Sequence, residues 1–183
     1  MKTLDEKIGF IGAGNMATAL ISGLINNGHD ASKIISSSPE QEHLEKLSVD
    51  FGVLTSKNNQ KVCEDSNVII LAVKPNIIET VLSEIKENFD QKDKLVISIA
   101  AGVKIENIES IIGSSTKIIR AMPNTPASIM EGVTALSSNE RVKESDIDKA
   151  KILFGSVGKT AEIKEKELDI FTALIGSGPA YVF

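Results

Sequence analysis

The chain has 183 residues, of which 42% are hydrophobic, 25% are charged and 4% are aromatic, with no tryptophan. This composition excludes a disordered chain and predicts a core of aliphatic side chains, as in parallel sheets covered by helices. The 20 basic and 25 acidic residues give a net charge of −5, which argues against a broad basic surface for nucleic acid. No nucleic-acid partner is therefore expected.

The single cysteine, Cys63, has no second cysteine for an intramolecular disulfide, and the sequence contains no metal-ligand cluster. We expect Cys63 to be a small buried residue and expect no metal site. The segment Met1–Lys7 is charged rather than apolar, and no stretch reaches the roughly 20 apolar residues that span a bilayer. These features predict a cytoplasmic protein without membrane association.

Short β-branched runs alternate with longer amphipathic segments, a pattern typical of repeated strand–helix–strand units. Two of these runs, Val68–Val73 and Leu95–Ile99, are apolar on both faces, so we expect them in the middle of the sheet. The expected fold is α/β, with a doubly wound, mainly parallel sheet and helices on both faces. The predicted strands are Lys7–Ile11, Lys33–Ser37, Val53–Thr55, Val68–Val73, Leu95–Ile99, Lys117–Ala121, Val133–Leu136 and Thr160–Ile163.

Apolar residues at helical spacing mark the intervening segments. The first helix is predicted to end at Gly28, and Ser38 is predicted to cap the second, with Pro39 at its first position. The predicted helices are Met16–Ile25, the segment around Leu44 and Leu47, Ile77–Ile85, Ser145–Phe154 and Glu167–Ile175.

The end of the chain departs from this pattern. Gly176–Pro179 interrupts the last predicted helix, and a new apolar run, Ala180–Phe183, follows it. Periodicity leaves two alternatives, a short docked end or the beginning of a second helical domain. We expect one compact domain over residues 1–163.

A glycine-rich pattern, G-x-G-x-x-A, follows the first predicted strand and opens the first predicted helix, with Gly12, Gly14 and Ala17 at its fixed positions. In this context Gly12 permits a tight turn, Gly14 lets the backbone approach a pyrophosphate, and Ala17 lets the helix pack closely. The N–H groups at the helix start then bind the anion. We therefore predict dinucleotide binding, the alternative being a sharp turn without a ligand.

The end of the second predicted strand bears on which dinucleotide binds. Where NAD sites usually place an acid for the ribose 2′-OH, this sequence has Ser36, Ser37 and Ser38, and the first acid is Glu40. Because a carboxylate would repel a 2′-phosphate, its absence favours NADP, with the Ser36 and Ser37 hydroxyls as donors. No arginine accompanies them, so NAD stays possible. The alternative is that Ser38 only caps the next helix and its neighbours form a loop.

Three further segments follow predicted strands, at the edge where open α/β sheets bind ligands. Small residues and a proline in Ala72–Pro75 and Ala100–Gly102 keep the backbone close to a flat ring. The proline-stiffened loop Arg120–Pro126 either contacts a ligand or connects rigidly to the strand at Val133.

The remaining polar residues offer no evident proton donor. His29 and His43 are both expected to be solvated, and neither has a carboxylate partner that suggests a catalytic triad. The charge run Lys164–Glu167 is expected to be a solvated face.

Five motifs occur in a fixed order: Ile8–Ala17, Leu71–Pro75, Ser98–Val103, Ile119–Pro126 and Gly176–Phe183. Together they closely resemble the pyrroline-5-carboxylate reductases. The resemblance implies an N-terminal Rossmann-type NAD(P) domain and an all-helical C-terminal dimerisation domain, largely missing here. It also implies reduction of the cyclic imine 1-pyrroline-5-carboxylate to L-proline, by hydride transfer from nicotinamide C4 to the C=N carbon, in a homodimer or higher homo-oligomer.

By position, the resemblance implies contacts with three parts of the coenzyme. One position departs from the family pattern, since Lys57 stands where the family commonly has Asp before the asparagine at position 58. Pyrophosphate contacts are implied for Gly12, Ala13, Gly14, Asn15 and Met16, and contacts with the adenosine ribose region for Ser36, Ser37 and Asn58. Ala72, Val73, Lys74, Pro75, Ala100, Ala101 and Gly102 would line the nicotinamide, and Met122, Pro123 and Asn124 would close the pocket.

The resemblance also divides the chain. Residues 164–183 would be a linker and the start of the helical domain, with Gly176–Ala180 as the hinge, and the catalytic residues would lie in the missing part. Two other functions stay open: a regulatory module that binds NAD(P) without chemistry, and a related imine or hydroxyacid reductase.

Overall fold

The computed structural model describes residues 3–89 and 93–176, and within these ranges eight strands form one sheet. All eight predicted strands are confirmed, with ends shifted by one or two residues. They are β1 (Ile8–Ile11), β2 (Ile34–Ser37), β3 (Leu54–Ser56), β4 (Val68–Leu71), β5 (Leu95–Ser98), β6 (Lys117–Met122), β7 (Gly132–Ser138) and β8 (Gly158–Glu162).

The strand order is β3-β2-β1-β4-β5-β6-β7-β8. The first six strands are mutually parallel, β7 runs antiparallel to β6, and β8 runs parallel to β7. The order of those six strands is that of a Rossmann-type sheet, which confirms the doubly wound, mainly parallel fold. Because the order reverses between β1 and β4, a crevice opens at the carboxyl ends of these two strands.

Seven α-helices lie within the described ranges: six connect successive strands, and the last follows β8. The predicted helix over Glu167–Ile175 is a short α-helix followed by a π-helical turn, Thr172–Gly176. The helices are α1 (Asn15–Asn26), α2 (Gln41–Phe51), α3 (Asn59–Asp65), α4 (Ile78–Ile85), α5 (Ile105–Ile112), α6 (Glu144–Gly155) and α7 (Leu168–Phe171).

Two apolar clusters cover the two faces of the sheet. Phe10 and Ile70 pack with α1 and α6 on one face. Ile69 and Leu71 pack with α3, α4 and α5 on the other. Since successive side chains of a strand point to opposite faces, the wholly apolar β4 contributes to both clusters. Cys63 is fully buried in the second cluster, as predicted.

The start of α2 differs from the prediction. The helix begins at Gln41 with Glu40 as its N-cap, so the expected cap at Ser38 is wrong. The Ser38 hydroxyl instead accepts a hydrogen bond from the Glu40 N–H at 3.1 Å. The serine therefore closes a turn around Pro39 before the helix begins.

The prediction that His29 is solvated is wrong, whereas His43 is exposed as expected. The His29 N–H donates to the Leu24 carbonyl at 3.0 Å after Gly28 with φ +83°. This fold-back leaves the His29 side chain 5% exposed, beside a cavity of about 190 Å³ that Leu4 also lines. Within the described residues, neither ring nitrogen has a hydrogen-bond partner.

No helix of the described residues is long and apolar enough to cross a membrane. Residues 3–89 and 93–176 also contain no group of three or more histidine, cysteine, aspartate or glutamate side chains arranged to hold a metal ion.

Candidate functional site

The turn between β1 and α1 is held between the two neighbouring strands. The Gly12 N–H donates to the Ser37 carbonyl of β2 at 2.9 Å, and the Ala72 N–H after β4 donates to the Ile11 carbonyl at 2.8 Å. Gly12 has φ +108°, and a Cβ there would lie 2.4 Å from the Ala72 carbonyl oxygen. The conformation and the close approach therefore both require glycine.

The N-terminus of α1 is open to a ligand. Gly14 is the N-cap, has no side chain to accept the first N–H groups, and is followed by no acid in the first turn. The first helical hydrogen bond runs from the Thr18 N–H to the Gly14 carbonyl at 2.9 Å, so the amides of Asn15, Met16 and Ala17 precede it. A Cβ at Gly14 would meet nothing within 4 Å. This space fits a pyrophosphate on the positive end of the helix dipole.

The serines at the end of β2 are buried, with their hydroxyls directed inward. The Ser37 hydroxyl donates to Asn59 Oδ1 at 2.7 Å, and Asn59 Nδ2 donates to Glu84 Oε2 at 2.9 Å. The Ser36 hydroxyl donates to the Gly12 carbonyl at 3.5 Å. Contact between Ser36 or Ser37 and a ribose or 2′-phosphate stays a prediction. The sequence carried no signal for the partner role of Asn59.

Asn58 and Lys57 lie beside this strand end. Ser37 is paired with Ser56 across β2 and β3, and the Ser38 N–H donates to the Ser56 carbonyl at 3.4 Å. Asn58 caps α3 by accepting the Lys61 N–H at 3.2 Å, so its contact with the ribose region also stays a prediction. Both Lys57 and Asn58 are exposed. A lysine, rather than an acid, therefore stands near the predicted ribose site.

The predicted nicotinamide segments follow the adjacent strands β4 and β5, so the topology brings them to the same edge as the glycine turn. Ala72 and Val73 are half-buried, whereas Lys74 and Pro75 are exposed. In the second segment Ala100 is buried, and Ala101 and Gly102 are exposed, with Gly102 at φ +75°. Small side chains thus face the edge, as a flat ring requires.

The loop after β6 is largely buried at its start and bonded to the next strand. Pro123 and Asn124 are buried, and Met122 is half-buried. Asn124 Oδ1 accepts the Val133 N–H at 2.8 Å, which ties the loop to the start of β7. This bond fits the alternative of a connection to the strand at Val133, and a ligand contact by Met122–Asn124 stays a prediction.

The sequence reasoning missed a cluster behind this loop. Arg120 is 4% exposed and donates to Glu165 Oε1 and to Asp169 Oδ1, at 3.3 Å each. Glu165 Oε1 also accepts the Ile105 N–H at 2.7 Å. The expectation that Lys164–Glu167 is only a solvated face is therefore wrong at Glu165. One signal was available, because an arginine inside an apolar strand requires an acidic partner.

Together, the Rossmann-type sheet and the open glycine turn define a dinucleotide-binding domain of the oxidoreductase class. A family model described as NADP oxidoreductase, coenzyme F420-dependent, matches residues 7–102. The chain is 37% identical to the pyrroline-5-carboxylate reductase of Methanosarcina acetivorans over 98% of its length, and 39% identical to that of Escherichia coli K12 over 98%. The chain belongs to the pyrroline-5-carboxylate reductase family.

Solved structures agree with this membership. A pyrroline-5-carboxylate reductase from Coxiella burnetii matches with a TM-score of 0.96 at 38% identity, over 98% of this chain and 67% of that one. The Plasmodium falciparum enzyme with NADP bound matches with a TM-score of 0.88 at 35% identity, over 99% and 66%. The prephenate dehydrogenase of A. aeolicus, at 15% identity and a TM-score of 0.77, shares the fold.

The chain spans about two thirds of the length of the curated relatives it matches, 66% of the M. acetivorans protein and 67% of the E. coli protein.

Proposed function

We propose that this protein reduces 1-pyrroline-5-carboxylate to L-proline with NADPH, and that the described residues form its coenzyme-binding part. The observation that carries the proposal is the open N-terminus of α1 behind Gly12 and Gly14 in a member of this reductase family. A reductase of another imine has weaker support, since the imine reductase of Streptomyces aurantiacus is only 13% identical. The regulatory module is the alternative that the assay below tests.

Three observations support NADPH as the preferred coenzyme, with NADH possible. The Plasmodium falciparum relative is described with NADP bound, and the matching family model is of an NADP oxidoreductase. In this chain the end of β2 carries serines instead of an acid, and Lys57 is exposed beside it. A cation near the ribose favours a 2′-phosphate, whereas an acid would repel it.

The described residues bind and orient the coenzyme in this proposal. The amides of Asn15 and Met16 hold the pyrophosphate on the axis of α1. The small residues of Ala100–Gly102 leave room for the nicotinamide at the sheet edge, and the partly buried Met122–Asn124 loop excludes water beside it. When bound, the reduced nicotinamide supplies a hydride to the imine carbon. The residues that bind the substrate carboxylate and donate the proton are assigned to the remaining third of the length of the relatives.

The division of the chain into domains is proposed from the greater length of the relatives. We propose residues 1–163 as the coenzyme domain and 164–183 as the linker into a helical dimerisation domain, in a homo-oligomer. Of the predicted hinge, Gly176–Ala180, only Gly176 lies among the described residues. We also propose a cytoplasmic location, consistent with a single cysteine that is buried in the core.

Fluorescence titration of the chain with NADPH and with NADH tests the coenzyme part. We expect saturable binding of NADPH and weaker binding of NADH, and no fluorescence change with either at millimolar concentration would reject the site. The substrate part is tested by assaying the full-length protein with the cyclic imine and NADPH. NADPH binding without turnover there would favour the regulatory module.

A further inference from the structure

The Arg120 cluster, formed by Arg120, Glu165, Asp169 and the Ile105 N–H, joins three parts of the chain. Arg120 lies on β6, Ile105 begins α5, and the two acids come from the segment that leaves the sheet after β8. Arg120 is on the same face of β6 as Ile118, which packs against α5. The cluster therefore fixes this segment to the sheet and to α5 together.

Glu165 is the central acceptor of this cluster. Its side chain is 30% exposed, whereas the side chain of Asp169 is 73% exposed, so the pair with Glu165 is the less screened by water. Lys104, the N-cap of α5, provides no side-chain cap. The Glu165 carboxylate takes over that role by accepting the first-turn N–H of Ile105 at 2.7 Å, where the helix dipole favours negative charge.

The cluster stands directly behind the predicted nicotinamide end of the site. Ile105 follows Gly102 by three residues, and Arg120 precedes Met122 by two. The predicted adenosine end, at Ser37 and Asn58, lies on the other side of β1 and β4 in the sheet order. A change at Glu165 should therefore be transmitted to one end of the coenzyme and not to the other.

We propose that Arg120 and Glu165 are positioning residues that hold the loops at the nicotinamide end in their binding geometry and fix to them the segment leading out of the sheet. Neither side chain is assigned a contact with the coenzyme, and the inference rests on the proposed NADPH function. Through α5, the pair fixes the position of the Ala100–Gly102 loop relative to the sheet. Through β6, it fixes the position of Met122–Asn124.

The test compares NADPH with 2′,5′-ADP, which lacks the nicotinamide half, by titrating both into the full chain and its Glu165→Gln variant. Loss of the carboxylate charge weakens the bonds to Arg120 and to the Ile105 N–H, so we expect about a tenfold weaker affinity for NADPH. The affinity for 2′,5′-ADP should stay within about twofold of the parent. The matched control is Glu167→Gln, which removes an equal charge from an exposed residue that accepts only the Lys164 N–H at 3.0 Å in the described structure.

A second variant, Arg120→Lys, keeps the positive charge but loses the forked guanidinium donors. It allows the affinities for NADPH and 2′,5′-ADP to be compared if Glu165→Gln does not fold. It should also weaken NADPH more than 2′,5′-ADP. Equal weakening of both ligands, or no change in either, would overturn the positioning role. Failure of the proposed function looks different, since the parent chain itself would then bind no NADPH.

Discussion

The glycine turn after β1 and the Arg120 cluster on β6 lie at the same edge of the sheet but are built in opposite ways. The turn uses backbone N–H groups and consecutive residues, with Gly12 and Gly14 supplying conformation and space. The cluster uses charged side chains, and Arg120 and Glu165 are 45 residues apart in the chain. A ligand site made of backbone is therefore encoded locally, whereas its support is encoded over a long distance.

The largest expected effect comes from Gly12→Ala, which would break the turn itself. The added Cβ would lie 2.4 Å from the Ala72 carbonyl oxygen at φ +108°, so we expect a loss of roughly 3 kcal/mol in the free energy of unfolding, or more. NADPH binding should be lost with it. Urea unfolding and NADPH titration measure the two effects, and a variant as stable as the parent would contradict this account of the turn.

The next effect separates binding from stability at the neighbouring glycine. Gly14→Ala places a methyl group in open space at φ −76°, a conformation that alanine adopts freely. We expect an unchanged midpoint of unfolding, but about tenfold weaker NADPH binding, because the methyl group occupies the space proposed for the pyrophosphate. Unchanged NADPH affinity would show that this space holds no ligand. Gly155→Ala, at another glycine with open surroundings, is the matched control.

The glycine turn and the Arg120 cluster also differ in how far the sequence predicts them. The strands and the glycine turn depend on local patterns, and both were predicted. The helix α5 was missed although Ile105, Ile108 and Ile112 have helical spacing, so its signal was present and unused. The partners of Arg120, Glu165 and Asp169, come from the segment after β8. Local sequence does not predict them, because tertiary packing decides that this segment lies against α5.

The next effect is expected at the adenosine end, where the exposed Lys57 lies beside the end of β2. Lys57→Glu puts a carboxylate near the proposed 2′-phosphate, so the ratio of NADPH to NADH affinity should fall about tenfold. Lys86→Glu, an equal charge change at the end of α4, should leave the ratio unchanged. The measurement is a pair of fluorescence titrations for each variant. An unchanged ratio in Lys57→Glu would place the 2′-phosphate elsewhere.

The smallest effect is a pH dependence at the opposite edge of the sheet, where His29 follows the end of α1. Burial lowers the pKa of His29 below its usual 6.5, with nearby Lys33 acting in the same direction and Asp30 and Glu6 opposing it. Between the folded and unfolded pKa values the unfolded state binds more protons, so stability falls as the pH decreases below about 6.5. Above that value His29 is neutral in both states and contributes no pH dependence.

Thermal unfolding of the parent and of His29→Leu over this range isolates the contribution of His29. The difference in midpoint between the two proteins should change as the pH falls below about 6.5 and stay constant above it. Since His29 lies at the edge away from the glycine turn, NADPH affinity should not follow this change. A matching pH dependence of binding would mean that the two edges are energetically coupled, and that the backbone site depends on more than its local sequence.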